Sequence, residues 1–251
     1  MEQMKLDIKD MPNNSVKKPM QELSEKLITD FFDNLISITI TGSSLTDDYI
    51  KGKSDINTVL VFKEETMNVL NGISDLGRLL FKNHFDMPLI MIPSHIERSC
   101  DVFGVEYLDF QLNHKTIYGE SPFKSLVIEK NDVRLQCERE FKANMIRLRQ
   151  GYVASKVGPV KLVDILSSCA SGLLPYLRAM LWLSDKEREP LIASTLESAS
   201  NEFGFQVEPL AKLIGWKHEK PKPDKMELQD SFEYLYELIG SLSLLADKIE
   251  F

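Results

Sequence analysis

Cysteine is scarce in this chain. Cys100, Cys137 and Cys169 stand far apart and form no C-x-x-C pair. An odd, dispersed set argues against a disulfide framework and suits a reducing compartment. Histidine is equally thin: His84, His95, His114 and His218 show no metal-ligand spacing. Long apolar runs are missing too. The longest, residues 169–183, is interrupted by Arg178 and falls short of a bilayer span. Lys5, Asp7, Lys9 and Asp10 break any leader-like apolar start. The expectation is a cytoplasmic protein with no membrane partner. Positive charge is in deficit, 30 Lys and Arg against 38 Asp and Glu, net −8. General nucleic-acid binding, which calls for a basic stripe, is therefore not expected. Two glycine motifs are absent as well. No G-x-G-x-x-G occurs, so a dinucleotide fold has no support, and no G-x-S-x-G occurs, which removes the usual hydrolase elbow. Gly52-Lys53-Ser54 imitates the end of a P-loop. The position that needs the first glycine is Asp47, and a strand follows where a helix is required.

What is present begins with material for a core. Hydrophobic residues make up 43% of the 251 positions, enough for one large or two small domains. Residues 1–18 are polar without clear periodicity and read as a flexible arm. Residues 18–35 place Met20, Leu23, Leu27, Phe31 and Phe32 at helical spacing. Two β-branched runs at 37–41 and 58–62 read as strands. A helix is expected over 66–84, then a strand at 87–92, a short helix capped by Ser94, and a strand at 105–111. Beyond Pro122 the pattern turns helical: 132–153, 160–183, 189–203, 209–214 and 226–251, with a charged linker at 217–225. The fold class read from this order is α+β. A head with a small mixed sheet and helices (19–122) precedes an all-α helical bundle (123–251).

One segment carries chemistry. Residues 36–62 run from a strand into Gly42-Ser43-Ser44, and then from Ser54-Asp55-Ile56-Asn57 into a second strand. Side chains two apart on a strand share a face, so Asp55 and Asn57 project together while Ile56 packs on the other side. Gly42 lets the backbone approach a ligand closely, and Ser43 and Ser44 add hydroxyls for phosphate oxygens. Lys53 is a candidate cation in the same loop. Paired oxygen ligands on one face suit a divalent ion of the kind used in phosphoryl and nucleotidyl transfer. An ordinary hairpin with a solvated strand start is the competing reading.

Strand, Gly-Ser, loop, then an acid-x-acid pair entering a second strand resembles the nucleotidyltransferase superfamily, which includes polymerase-β-like proteins and the aminoglycoside nucleotidyltransferases. The resemblance implies that Gly42 and Ser43 hold a triphosphate and that Asp55 is the first metal-binding acid. Asn57 stands at the second acid's position, where it keeps a carbonyl oxygen but brings no charge. A third acid is implied on a later strand. In the strand read over 105–111, Glu106 shares a largely apolar face with Leu108 and Phe110, while Asp109 lies with Tyr107 and Gln111. Glu106 is the favoured candidate. The alternative is that it pairs with an arginine.

The implied site is thus catalytic Asp55 and Glu106; metal ligands Asp55, Asn57 and Glu106; and nucleotide-binding Gly42, Ser43, Ser44 and Lys53. The implied cofactor is Mg²⁺ or Mn²⁺. The implied partners are an NTP and a hydroxyl acceptor of unspecified identity, with a homo-oligomer left open. The alternative function is a catalytically degenerate member of the fold that binds a nucleotide or a protein. Arg139 and Lys142 are read as the solvated face of a helix, and Trp182 and Trp216 as packing residues.

Overall fold

The computed structural model describes residues 6–158, 161–219 and 221–251. The chain divides into two units. The first holds the residues up to Cys100 together with Phe110–Val127, and the second holds Asp101–Asp109 with Ile128–Phe251.

The first unit is built on a four-stranded sheet of order β3-β2-β1-β4. β1 (Leu35–Thr41) pairs antiparallel with β2 (Asn57–Phe62) and with β4 (His114–Tyr118), while β3 (Leu89–Met91) runs parallel to β2. Alternation divides β1 between two faces. Ile38 and Ile40 enter the core with Leu60 and Phe62 of β2, while Ser37, Thr39 and Thr41 lie on the other face. α1 (Asn14–Phe31) covers the core face with Val16, Met20, Leu23, Leu27 and Phe31, the helical spacing the sequence shows. Phe31 meets Phe62 edge to face at 5.5 Å.

The helix expected over 66–84 is two helices, α2 (Met67–Asp75) and α3 (Gly77–Lys82), which meet at Leu76. Leu76 and Leu80 still reach the core, so the apolar pattern survives the break. The short helix α4 (Pro93–Arg98) starts one residue before the expected cap. Ile92 holds the N-cap position and Pro93 opens the helix. Within the stretch read as an arm, Met11 is buried and the Asp7 N–H donates to the Ile117 carbonyl at 2.9 Å. Residues 1–5 lie outside the described residues.

The strand expected at 105–111 is a helix, α5 (Gly104–Leu112). Val105, Tyr107 and Leu108 are buried, a spacing that a helix satisfies. Val105 and Leu108 pack with Val133 and Cys137 in the core of the second unit. The sheet position beside β1 is filled by β4, where Thr39 and Thr116 share a hydrogen bond of 2.8 Å between their hydroxyls.

The second unit is helical: α6 (Lys130–Val157), α7 (Leu162–Gly172), α8 (Leu174–Leu183), α9 (Ile192–Phe203), α10 (Val207–Glu219) and α11 (Lys225–Lys248). The single helix read over 160–183 is broken at Leu173, and Pro175 stands in the first turn of α8. Its first expected residue, Val160, lies outside the described residues. Phe141, Leu166, Leu177, Leu210, Leu235 and Ile239 form a common core. Trp216 is buried in it, and Trp182 packs partly buried against it. Arg178 is buried too, which demands partners. It donates to Asp109 at 2.8 Å, to the Thr195 hydroxyl at 3.0 Å and to the Pro190 carbonyl at 2.6 Å.

Candidate functional site

The residues of interest in the first unit gather where β1 ends and β2 begins. Thr41, the last residue of β1, lies opposite Asn57, the first of β2. Gly42–Leu45 follow as a short 3-10 turn, with Gly42 against the Asn57 side chain. Gly42 has φ +74°, in the left-handed region. A Cβ at this position would lie 2.9 Å from the Asn57 amide nitrogen. Glycine is favoured here by its dihedral, and any larger residue would also have to displace the Asn57 side chain.

The turn is held by its carbonyls. Thr41 O accepts from the Ser44 hydroxyl at 3.2 Å, and Gly42 O from Asn113 Nδ2 at 3.0 Å. Ser43 O accepts from Thr46 N at 2.9 Å and from the Thr46 hydroxyl at 3.2 Å. Ser44 O and Thr46 O both accept from Asn13 Nδ2, at 2.8 and 3.0 Å. Ser44 is fully buried and its hydroxyl is spent inside the turn, so its side chain is structural. Ser43 is partly exposed and is the serine of the pair that can meet a ligand.

Beyond the turn, Ser54 closes the loop by accepting from Ile50 N at 3.0 Å. Lys53 and Asp55 are exposed, Ile56 is buried in the core, and Asn57 is half-buried. The alternation expected of Asp55-Ile56-Asn57 is thus in place. Tyr49 stands close enough to Asp55 to feel its charge. Burial, and after it that carboxylate, push the Tyr49 hydroxyl above the ordinary tyrosine range.

Glu106 lies on α5, in the second unit. It is partly buried and its Oε2 accepts from Gln136 Nε2 at 2.6 Å, while Gln136 Oε1 takes the Val105 N–H at 2.9 Å. The arginine pairing weighed for Glu106 belongs to Asp109, through Arg178. The strand-borne third acid is therefore a misreading of local structure, since residue 106 is helical. The later strands, Leu89–Met91 and His114–Tyr118, carry no carboxylate.

Asn13, Asn113 and Tyr49 escaped the sequence reading. Asn13 looks like a helix cap and Asn113 like a helix-to-strand junction. Their contacts span 31 and 71 residues of sequence, and nothing local announces them.

The donor set can be weighed against a divalent ion. No cluster of three His, Cys, Asp or Glu side chains occurs among the described residues. The start of β2 offers one carboxylate and one carboxamide oxygen. Mg²⁺ is commonly held by one or two carboxylates together with substrate phosphates and water. Asp55 and Asn57 thus fit an ion that arrives on a nucleotide, and not one caged by protein alone.

No protein-family model and no curated protein matches the sequence. A solved structure of a spectinomycin adenyltransferase from Enterococcus faecialis, with ATP and spectinomycin, does match in fold. The similarity covers 89% of this chain and 98% of that one, with TM-score 0.55 and 11% identity. The chain has a nucleotidyltransferase-like α+β fold, and the helical region belongs to it.

Proposed function

We propose that this chain binds a nucleoside triphosphate, carried with Mg²⁺, at the Gly42–Ser43 turn, and that its transfer site is reduced to a single carboxylate, Asp55. The juxtaposition of that turn with Asn57, two residues beyond the exposed Asp55, carries the reading. Gly42 supplies the left-handed turn and leaves room beside it for the Asn57 side chain, and the partly exposed Ser43 offers a hydroxyl. Asp55 supplies the protein's anionic ligand and Asn57 a neutral one. When bound, the ion would neutralise phosphate charge. Lys53, exposed in the adjoining loop, adds positive charge toward the phosphates. Within this reading the buried thiols of Cys137 and Cys169 suit a cytoplasmic location.

A second reading retains transfer of a nucleoside monophosphate to a hydroxyl acceptor, with Mg²⁺ or Mn²⁺. One observation favours it. Glu106 is a partly buried carboxylate held by Gln136, which suits a positioned acid or base better than a solvated surface charge. Incubation with each of the four NTPs, labelled at the α-phosphate, separates the readings. The reduced-site reading expects retained binding with no label transferred to small hydroxyl compounds. Pyrophosphate release that depends on Asp55 would establish the transferase instead.

A further inference from the structure

We infer that Asn13 and Asn113 are positioning residues that clamp the Gly42–Thr46 turn in its nucleotide-binding shape. The inference rests on the nucleotide reading above.

Asn13 occupies the N-cap of α1, where an asparagine ordinarily accepts a hydrogen bond from the helix. Its side chain makes no such bond. Its amide instead donates to the carbonyls of Ser44 and Thr46, 31 and 33 residues away. A residue placed to stabilise its own helix is thus committed to the turn. Asn113 works from another side. It directly precedes β4, whose first residue, His114, pairs with Thr41. From there it donates to Gly42 O at 3.0 Å.

The consequence follows from the planar trans peptide. A carbonyl and the N–H of the next residue point in opposite directions. Drawing Gly42 O toward Asn113 therefore fixes the Ser43 N–H on the opposite side. Drawing Ser44 O toward Asn13 does the same for Leu45. Carbonyl oxygens are also the groups of a turn that repel phosphate. From Thr41 to Ser44 each one has a donor. The two asparagines thereby set the turn's polarity before a ligand arrives, and binding need not meet that ordering cost.

The segment ahead of α1 gains a role. Asp7 is tied to the sheet unit twice, through its N–H on Ile117 O and its carboxylate on Lys115 at 3.3 Å. Met11 is buried between those ties and Asn13. The N-terminal segment thus delivers part of the nucleotide site.

The test compares Asn13→Leu and Asn113→Leu, which keep size and remove donors without adding charge, with the unaltered protein. Two quantities are read: affinity for each Mg-NTP by calorimetry, and hydrogen exchange over residues 38–46 in the ligand-free protein. Each variant is expected to exchange faster there and to bind nucleotide about tenfold more weakly. Leu80→Val, a buried core change in the same unit, is expected to lower Tm while leaving affinity unaltered. If the leucine variants do not fold, Asn13→Ala and Asn113→Ala replace them. Unchanged exchange, or unchanged affinity where the unaltered protein binds, overturns the clamp and leaves the nucleotide reading standing. An unaltered protein that binds no NTP overturns both.

Discussion

At Gly42 and Asn57 the site is decided by single atoms. Substituting Gly42 by alanine would force a Cβ to within 2.9 Å of the Asn57 amide nitrogen while keeping φ at +74°. The left-handed conformation alone costs an L-residue about 1–2 kcal/mol. Gly42→Ala should therefore lower Tm and abolish nucleotide binding, as thermal melts and calorimetry would show. Asn57 tests the electrostatic half of the proposal. Asn57→Asp keeps the shape and adds a second anionic oxygen beside Asp55. A hard cation favours such ligands, so affinity for Mg-NTP should rise. A fall in affinity would mean that the start of β2 does not face a metal-bound phosphate. Tyr49 belongs at this scale too. Its raised pKa keeps the hydroxyl protonated beside Asp55 through the physiological range.

The elements show which signals the chain carries in its sequence. β1 is readable because Ile alternates with Ser and Thr, and β2 because it is a short, largely β-branched run that is buried from Thr58 to Phe62. The helices are readable from their 3.6-residue period, although the breaks at Leu76 in the sheet unit and Leu173 in the helical unit are hidden by apolar patterns that continue across them. α5 was misread because a short apolar run with two acids fits either period. Only its packing on Val133 and Cys137 decides for helix. β4 was missed since its polar residues, His114, Lys115 and Thr116, resemble a loop until they are paired with β1. The turn at the end of β1 is legible from its glycine, whereas the asparagines that hold it depend on tertiary contact.

β4 also yields a pH prediction. His114 Nδ1 meets the Phe110 carbonyl at 2.6 Å, and a carbonyl only accepts, so Nδ1 carries the proton and Nε2 accepts from Ser121 at 2.7 Å. Burial holds the ring's pKa below its usual 6.5. The unfolded chain therefore takes up the proton first on acidification. Stability from the neutral ring is complete above about pH 6.5 and is lost as pH falls through the folded value. Tm should drop between about pH 7 and 5, and His114→Gln should shrink that drop. In the helical unit, Arg178→Met leaves Asp109 without its partner. A loss of about 3 kcal/mol is expected in urea unfolding, in line with a broken buried ion pair.

At the scale of the whole chain, a net charge of −8 works against a polyanionic ligand. Binding of a triphosphate then requires that its charge be masked, and Asp55 at the site adds to that need. In the proposed reading Mg²⁺ would provide the masking, so EDTA should weaken nucleotide binding sharply. The fold likeness to a spectinomycin adenyltransferase extends over the sheet unit and the helical unit alike, at 89% of the chain. At 11% identity it carries architecture, and the chemistry has to come from the residues at the site. In the proposed reading those residues are the glycine turn, Asp55 and Asn57. The most direct test is calorimetric titration with ATP, GTP, CTP and UTP in the presence of Mg²⁺. The account predicts measurable heat for at least one nucleotide, lost in Gly42→Ala and weakened in Asp55→Ala. No heat from any of the four at millimolar concentration would contradict it.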